Sequence, residues 1–254
     1  MSQTVLVTGA SSGIGQAIAQ RLTEHGFKVF GTSRKPTSKL IPLDVRSDAS
    51  VRACIERVVP VDVLVNNAGY ALMGSAEETS LDEAKAQLET NFFGVVRMVK
   101  AVLPTMRERG GRILNVGSLA GITAIPFSAF YTASKFALGG YTEALWHELR
   151  PFGIHVTLIE PGFVATPIGE STQVAATPLP AYDGVRQRAI NALGQHVKHG
   201  IAPDAVAKTV LRAIDSRSPS LRYRVGTDAA WFPRLKSVLP WPLFAAGVRR
   251  TFAV

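Results

Sequence analysis

"VLVTGASSGIGQAIAQRL", residues 5–22, decides the fold. It passes from a short apolar, β-branched run through a turn holding Gly9, Gly13 and Gly15 into a segment with helical spacing. Glycine lets a backbone turn tightly and come close to a bound group, and the first turn of a helix offers unpaired N–H donors to an anion. The spacing GxxxGxG departs from the commoner GxGxxG. It nevertheless sits between strand and helix, the context in which a dinucleotide pyrophosphate is held. A tight strand-to-helix connection without a ligand is the alternative. Three glycines accompanied by Thr8, Ser11 and Ser12 favour the dinucleotide.

Outward from this turn, short apolar runs alternate with longer helical patterns. Strands are predicted over residues 4–9, 28–33, 40–45, 61–69, 112–118, 155–162 and 222–228. Most are continuous apolar runs, as expected of strands buried on both faces. Helices are predicted over residues 13–25, 47–58, 81–109, 131–150 and 203–216, with Thr90-Asn91 interrupting the third. This alternation implies an α/β fold: a doubly wound, mainly parallel seven-stranded sheet with helices on both faces. No linker or internal repeat divides residues 1–254, so one domain is expected. Residues 163–202, rich in Pro, Thr, Ala and Gly, read as a lid with short helices. Residues 229–254 form an apolar and basic extension whose helices Pro233, Pro240 and Pro242 should keep short.

A chain of 254 residues that is 46% hydrophobic can bury a sizeable core. No apolar run reaches the ~18 residues of a membrane-spanning helix. The N-terminus has no basic segment ahead of its apolar stretch, so no signal peptide is expected. The single cysteine, Cys54, excludes an internal disulfide and suits a reducing cytoplasm, which is the expected location. His25, His147, His155, His196 and His199 show no metal-ligand spacing, and no metal is predicted. The net charge of +9 is uneven: residues 186–254 carry 12 Lys/Arg against 3 Asp/Glu. Without a recognition motif this does not indicate nucleic acid. In the extension, Trp231, Phe232, Trp241 and Phe244 alternate with Arg234, Lys236, Arg249 and Arg250. Apolar residues covering the pocket or a subunit contact are the favoured reading, and a membrane interface the lesser one.

The end of the second strand selects the cofactor. A carboxylate there would accept hydrogen bonds from the ribose hydroxyls of NAD. This chain instead has Ser33, Arg34 and Lys35, and Arg pairs well with a 2′-phosphate, so NADP(H) is expected ahead of NAD. Asp44 either meets the adenine edge or caps the next helix. "YTASK", residues 131–135, sets a phenol and an ammonium one helical turn apart on one face. A free phenol has a pKa of about 10, and a nearby cation lowers it, so Lys135 is expected to tune Tyr131.

"TGASSGIG", "NNAG" (66–69), Asn91 in "NFFG", Ser118 in "NVGS", "YTASK" and "PGFVAT" (161–166) occur together in an order that resembles the classical short-chain dehydrogenases/reductases. The resemblance spans nearly the whole chain and implies a Rossmann fold and hydride transfer. It implies that Tyr131 is the general acid/base, that Lys135 holds the nicotinamide ribose, that Ser118 orients the substrate oxygen and that Asn91 supports a proton relay. Cofactor contacts are implied for Gly9, Ser11, Ser12, Gly13, Ile14, Gly15, Ser33, Arg34, Asp44, Val45, Asn67, Ala68, Gly69, Tyr131, Lys135, Pro161, Gly162, Val164 and Thr166. "NNAGYALMGSAEETS" and "RYRVGTDAAWFPRLKSVLP" resemble the hydroxysteroid and retinol dehydrogenase branch, which implies a lipophilic alcohol, ketone or aldehyde. Leu72, Met73, Ile125, Phe127 and Phe163 are expected near the pocket mouth. The resemblance also implies a homodimer or homotetramer joined through helices at 91–109 and 131–150. A non-enzymatic NADP(H)-binding sensor, or an epimerase or dehydratase using the same Tyr and Lys, are the alternatives.

Overall fold

Leu6 points to one layer of helices, while Val5 and Val7 point to the other; all three are fully buried. That alternation along one strand builds a three-layer molecule. The computed structural model describes residues 2–35, 39–166 and 172–254. In chain order the elements are β1 (Thr4–Val7), α1 (Gly13–Glu24), β2 (Lys28–Ser33), β3 (Ile41–Pro42), α2 (Asp48–Glu56), β4 (Val63–Asn66), β5 (Ala71–Met73) and α3 (Leu81–Leu88). They continue with α4 (Gly94–Arg109), β6 (Gly111–Val116), α5 (Ala129–Leu149), β7 (Ile154–Pro161), β8 (Thr172–Val174), α6 (Asp183–Lys198) and α7 (Pro203–Asp215). β9 (Arg222–Val225), α8 (Thr227–Val238) and α9 (Trp241–Phe252) complete the chain.

The main sheet has seven strands in the order β3-β2-β1-β4-β6-β7-β9, every neighbouring pair parallel. Helices α2, α4 and α5 pack on one face through Cys54, Met98, Val102 and Leu138. Helices α1 and α7 cover the other through Ile18, Leu22, Val206 and Val210. Burying one such Leu or Ile side chain contributes about 1.5–3 kcal/mol, so strands with apolar residues on both faces are stable only inside this sandwich. The strand order reverses between β1 and β4, which opens a crevice at their C-terminal ends. The glycine turn follows β1 and the "NNAG" segment follows β4, so the topology brings both to that crevice.

Three expectations change. The strand predicted over 40–45 shrinks to Ile41–Pro42, because proline has no donor for a ladder and lies here on the sheet edge. Pro233 sits inside α8 rather than ending a short helix, and only Pro240 and Pro242 mark a boundary, at the start of α9. The lid region contains the 16-residue helix α6, and β8 pairs with β5 in a second, two-stranded sheet. Residues 167–171 of the predicted lid lie outside the described residues.

Candidate active site

The glycine turn is held by its own neighbours. Gly9 and Gly13 have φ of +66° and +56°, the left-handed region that favours glycine. The Thr8 hydroxyl accepts from the backbone N–H groups of Asn67 and Ala68 at 2.9 and 3.0 Å. In return, the Asn67 amide donates to the carbonyls of Thr8 and Gly9, each at 3.0 Å. The ends of β1 and β4 are thereby locked into one cradle. A methyl at Gly15 would overlap the Gly9 carbonyl and the Asn67 amide. Gly15→Ala is therefore expected to cost roughly 1–3 kcal/mol of stability and to weaken NADPH binding, as read by thermal denaturation and fluorescence titration.

The cradle suits a dinucleotide. Ser12 starts α1 without a side-chain cap, and no acid lies in the first turn. The helix therefore presents orphan N–H groups and its positive end to whatever fills the crevice. Ser11 is exposed, Ser12 and Ile14 are half-buried, and Thr166 lies across from Gly13. At the end of β2, Ser33 is buried and its Oγ accepts from the Lys35 N–H at 3.2 Å, whereas Arg34 and Lys35 are exposed. Asp44 turns its carboxylate onto Arg46, with contacts of 2.7–3.2 Å, and this pairing holds the acid below the usual carboxylate range. Ser47, not Asp44, caps α2. Val45 is buried against Gly94, and Gly69, itself exposed, lies close against the Asn91 side chain.

Asp228, which the sequence does not single out, organises the far side of the crevice. Its carboxylate accepts from the Phe163 N–H at 2.6 Å, and any side chain at Gly162 would collide with it. The "PG" turn after Pro161 is thus shaped by a residue at the start of α8. Val164 bridges to Ile201, which leaves Thr166 facing the glycine turn.

Asn91, Ser118, Tyr131 and Lys135 converge at the end of β6. Ser118 follows the strand, and its Oγ accepts from the Ala120 N–H at 3.0 Å. Tyr131 lies in the first turn of α5; burial raises its phenol above the ordinary value, and the Ser118 hydroxyl acts in the opposite direction. Lys135, one turn later, is buried and donates to the Val116 carbonyl at 2.9 Å. Among the described residues it has no carboxylate partner, and burial lowers it to about 8. The expected lowering of Tyr131 by Lys135 is not found in the protein alone. The ammonium lies 5.9 Å from the ring centroid, pointed at Val116, and desolvation dominates the phenol. A buried ammonium has three donors, and the one used here leaves two free for hydroxyls such as those of a ribose. The site residues therefore fit the dinucleotide that the glycine turn anticipates.

Asn91 sits in a π-helical turn, Glu89–Phe93, between α3 and α4. This widened turn is the interruption expected at Thr90-Asn91, and such turns recur at functional sites. Its amide accepts from the Tyr70 N–H at 3.1 Å and donates to the Tyr70 carbonyl at 2.9 Å and the Ser134 hydroxyl at 3.2 Å. Asn91 thus pins the segment after "NNAG" to α5. Deeper in the sheet, the Asn66 amide donates to Asn115, whose own amide donates to Thr142 on α5, each at 2.9 Å. This buried chain ties β4, β6 and α5 together behind the site.

A cavity of about 440 Å³ lies between α6 and the β5/β8 pair, lined by Met73, Thr166, Ile190, Leu193 and Val197 among others. Its lid is rooted by buried Glu78, which accepts from the N–H groups of Ser75 and Leu179 and pairs with Arg186. Beside the cavity, Ile125, Tyr131, Phe163 and Leu193 pack with Val248 and Phe252 from α9. His196 stacks on Phe163 at 4.8 Å, and its Nε2 lies 3.1 Å from the Thr251 carbonyl. Phe127, another of the residues expected at the pocket mouth, adopts the left-handed φ of +57°. The cover expected of the C-terminal extension is made here by Val248 and Phe252, which carry no positional signal of their own in the sequence.

A crevice for a dinucleotide beside a Ser–Tyr–Lys cluster, with the lysine buried, defines a class: α/β oxidoreductases that work with a nicotinamide cofactor. The sequence pattern of the short chain dehydrogenase family matches residues 3–176. The chain is 37% identical to 3-ketodihydrosphingosine reductase of Bacteroides thetaiotaomicron, over 99% of this chain and 98% of that one. It is 39% identical to human 17-beta-hydroxysteroid dehydrogenase type 1, over 95% and 83% respectively. A crystal structure of a short chain dehydrogenase from Burkholderia cenocepacia in complex with NADP superposes with a TM-score of 0.78 at 26% identity, covering 97% of this chain and 99% of that one. The chain belongs to the short-chain dehydrogenase family and is an oxidoreductase of that family.

Proposed function

We propose that the protein transfers a hydride between NADP(H) and a lipophilic alcohol, ketone or aldehyde in the cytoplasm. The convergence of Ser118, Tyr131 and Lys135 beside an apolar cavity carries this reading. Bound nicotinamide would supply or accept the hydride. Tyr131 gives its phenolic proton to the substrate oxygen during reduction and takes one back during oxidation. Ser118 hydrogen-bonds the same oxygen and orients the carbonyl. Lys135 holds ribose hydroxyls with its free donors and, with that contact made, replenishes the phenol's proton. The Asn91 amide is already committed to Tyr70 and Ser134, so a relay toward Lys135 would run over the backbone of the widened turn.

The two named relatives act on a ketosphingoid base and a hydroxysteroid by their names, which supports a lipophilic substrate here. Ile190, Leu193 and Val197 provide a matching wall. Oxidation of NADPH, with NADH in parallel, against steroid, retinoid, long-chain and aromatic carbonyls tests the proposal. Turnover confined to one lipophilic class is expected. Tight NADPH binding with silence across the panel would favour a sensor, and product formation without net cofactor consumption would favour an epimerase or dehydratase. Family habit supports a homodimer or homotetramer through α4 and α5.

Preference for NADP(H) rests on Arg34. It is exposed at the end of β2 with no ion-pair partner among the described residues, and a 2′-phosphate could occupy that position. Arg34→Asp removes the cation and adds repulsion. It should raise KM for NADPH by about 10²-fold, as expected for the loss of a charge-assisted bidentate contact, and change KM for NADH far less. An unchanged ratio would overturn the assignment.

A further inference from the structure

The extension divides its apolar residues between two destinations. Phe244 and Phe252 of α9 are buried, and Phe252 closes the pocket wall together with Val248. Most of the remaining large apolar side chains face outward, with Phe232 half-buried. On α8, Trp231, Arg234, Leu235 and Val238 follow i, i+3, i+4, i+7 spacing, and all four are exposed. The stripe runs into Leu239-Pro240-Trp241-Pro242-Leu243, an exposed tip between the two helices. Accessibility reaches 58% at Trp231, 78% at Val238, 66% at Trp241 and 61% at Leu243. On the outer face of α9, Leu243, Ala246, Gly247 and Arg250 continue the pattern and are exposed. α9 is therefore apolar on both sides over most of its length, and a helix of that kind is covered on both.

Charge decides between the candidate covers. Residues 229–254 contain Arg234, Lys236, Arg249 and Arg250 and no acid. Lys236 turns inward, donating to the Ile122 carbonyl at 2.7 Å, while the three arginines remain exposed. The Arg234 guanidinium lies 5.4 Å over the Trp231 ring. A second copy docked by a two-fold axis would set this patch against itself, with cations opposite cations and no acid in the segment to neutralise them. An anionic lipid surface accepts both features: tryptophan and leucine enter the headgroup boundary while arginines pair with lipid phosphates. No helix among the described residues is long and apolar enough to cross a membrane, so the contact is peripheral.

We propose that the α8–α9 hairpin is a docking surface for an anionic lipid membrane, independently of the substrate assigned above. The tip enters the interface, and the inner face of α9 still walls the pocket. The hairpin thus lies between a lipid surface and the site.

Vesicle flotation tests it, using vesicles of phosphatidylcholine alone and of phosphatidylcholine mixed with phosphatidylglycerol in equal parts. The full-length protein is expected to float with the anionic vesicles and to remain in solution with the neutral ones. Tryptophan emission should shift to the blue on the anionic vesicles, because two of the three tryptophans lie in the hairpin. Combined Val238→Ser, Trp241→Ser and Leu243→Ser should reduce partitioning at least about tenfold. Combined Arg234→Gln and Arg250→Gln should reduce it by roughly fivefold per cation. Both variants should keep the wild-type circular dichroism spectrum and thermal transition, which shows that they fold. The proposal is overturned if the wild type ignores anionic vesicles, if it binds neutral ones equally, or if neither variant changes partitioning. It is equally overturned if the serine variant instead dissociates an oligomer seen by analytical ultracentrifugation.

Discussion

Tyr131→Phe is expected to lower kcat by about 10²–10⁴-fold, the span associated with loss of a positioned general acid/base, while NADPH binds almost as tightly as before. Phenylalanine keeps the ring that packs with Ile125, Phe163 and Phe252, so the pocket wall survives the change. What disappears is the hydroxyl proposed to exchange a proton with the substrate oxygen. Ser118 stands beside that group, but its hydroxyl is a far weaker acid and already accepts from Ala120. Histidine cannot substitute: His196, the histidine in this aromatic cluster, points its Nε2 to the Thr251 carbonyl. The comparison is made by single-turnover NADPH oxidation with a saturating carbonyl, with cofactor affinity from protein fluorescence. Near-normal turnover would remove Tyr131 from its assigned role. Loss of turnover together with loss of NADPH affinity would place the defect in cofactor binding instead.

Much of this arrangement is legible in the sequence because it depends on short spacings. One helical turn separates Tyr131 from Lys135, and the strand–turn–helix character of residues 4–24 shows in apolar runs broken by glycines. β2 occupies residues 28–33 as predicted, since Val29, Phe30 and the β-branched Thr32 lie between Gly26 and the polar Ser-Arg-Lys. Contacts between distant segments are not legible in this way. Asp228 shapes the turn at Gly162–Phe163 from 65 residues away, and nothing local to either stretch signals it. The lid helix α6 is obscured by Pro178 and Pro180 just before it, and Ala189 is its only buried residue among those described. A helix with so little buried face has no strong apolar period to detect. The proline in α8 misleads for a related reason. One lost hydrogen bond costs a few kcal/mol, which tertiary contacts such as Ala229 against the body can offset. Direction of shift at Tyr131 also lies beyond sequence: a lysine four residues away suggests a lowered phenol, yet burial, which only the folded chain supplies, raises it.

Lys135→Met should abolish most turnover and yet stabilise the cofactor-free protein. The ammonium is buried with one acceptor, Val116, and burial lowers it from 10.5 to about 8. In the unfolded chain the amine keeps its ordinary value, so below about pH 8 both states carry the proton, and folding bears the full cost of burying the charge. At 1.36 kcal/mol per unit that cost is roughly 3 kcal/mol. Between about 8 and 10.5 the folded protein has released the proton while the unfolded chain still binds it, so stability rises with pH across that window. Tyr131 works in the opposite sense, but only near and above the ordinary phenol range, since its folded value is raised. Methionine fills a similar volume without charge, although it leaves the Val116 carbonyl without its donor, a loss of about 1 kcal/mol. The net gain at neutral pH is therefore about 2 kcal/mol, or roughly 4–8 °C in Tm for a chain of this size. Denaturation of both proteins at pH 7 and pH 10 is the measurement. The variant should lead at pH 7, and its lead should shrink at pH 10 as the wild type sheds the buried charge. Saturating NADPH should reverse the order at neutral pH, because the ribose hydroxyls give the free ammonium donors their partners only in the wild type. A variant less stable than the wild type at pH 7 without cofactor would show that the lysine has partners enough within the protein, and that holding a ribose is not what its burial is for.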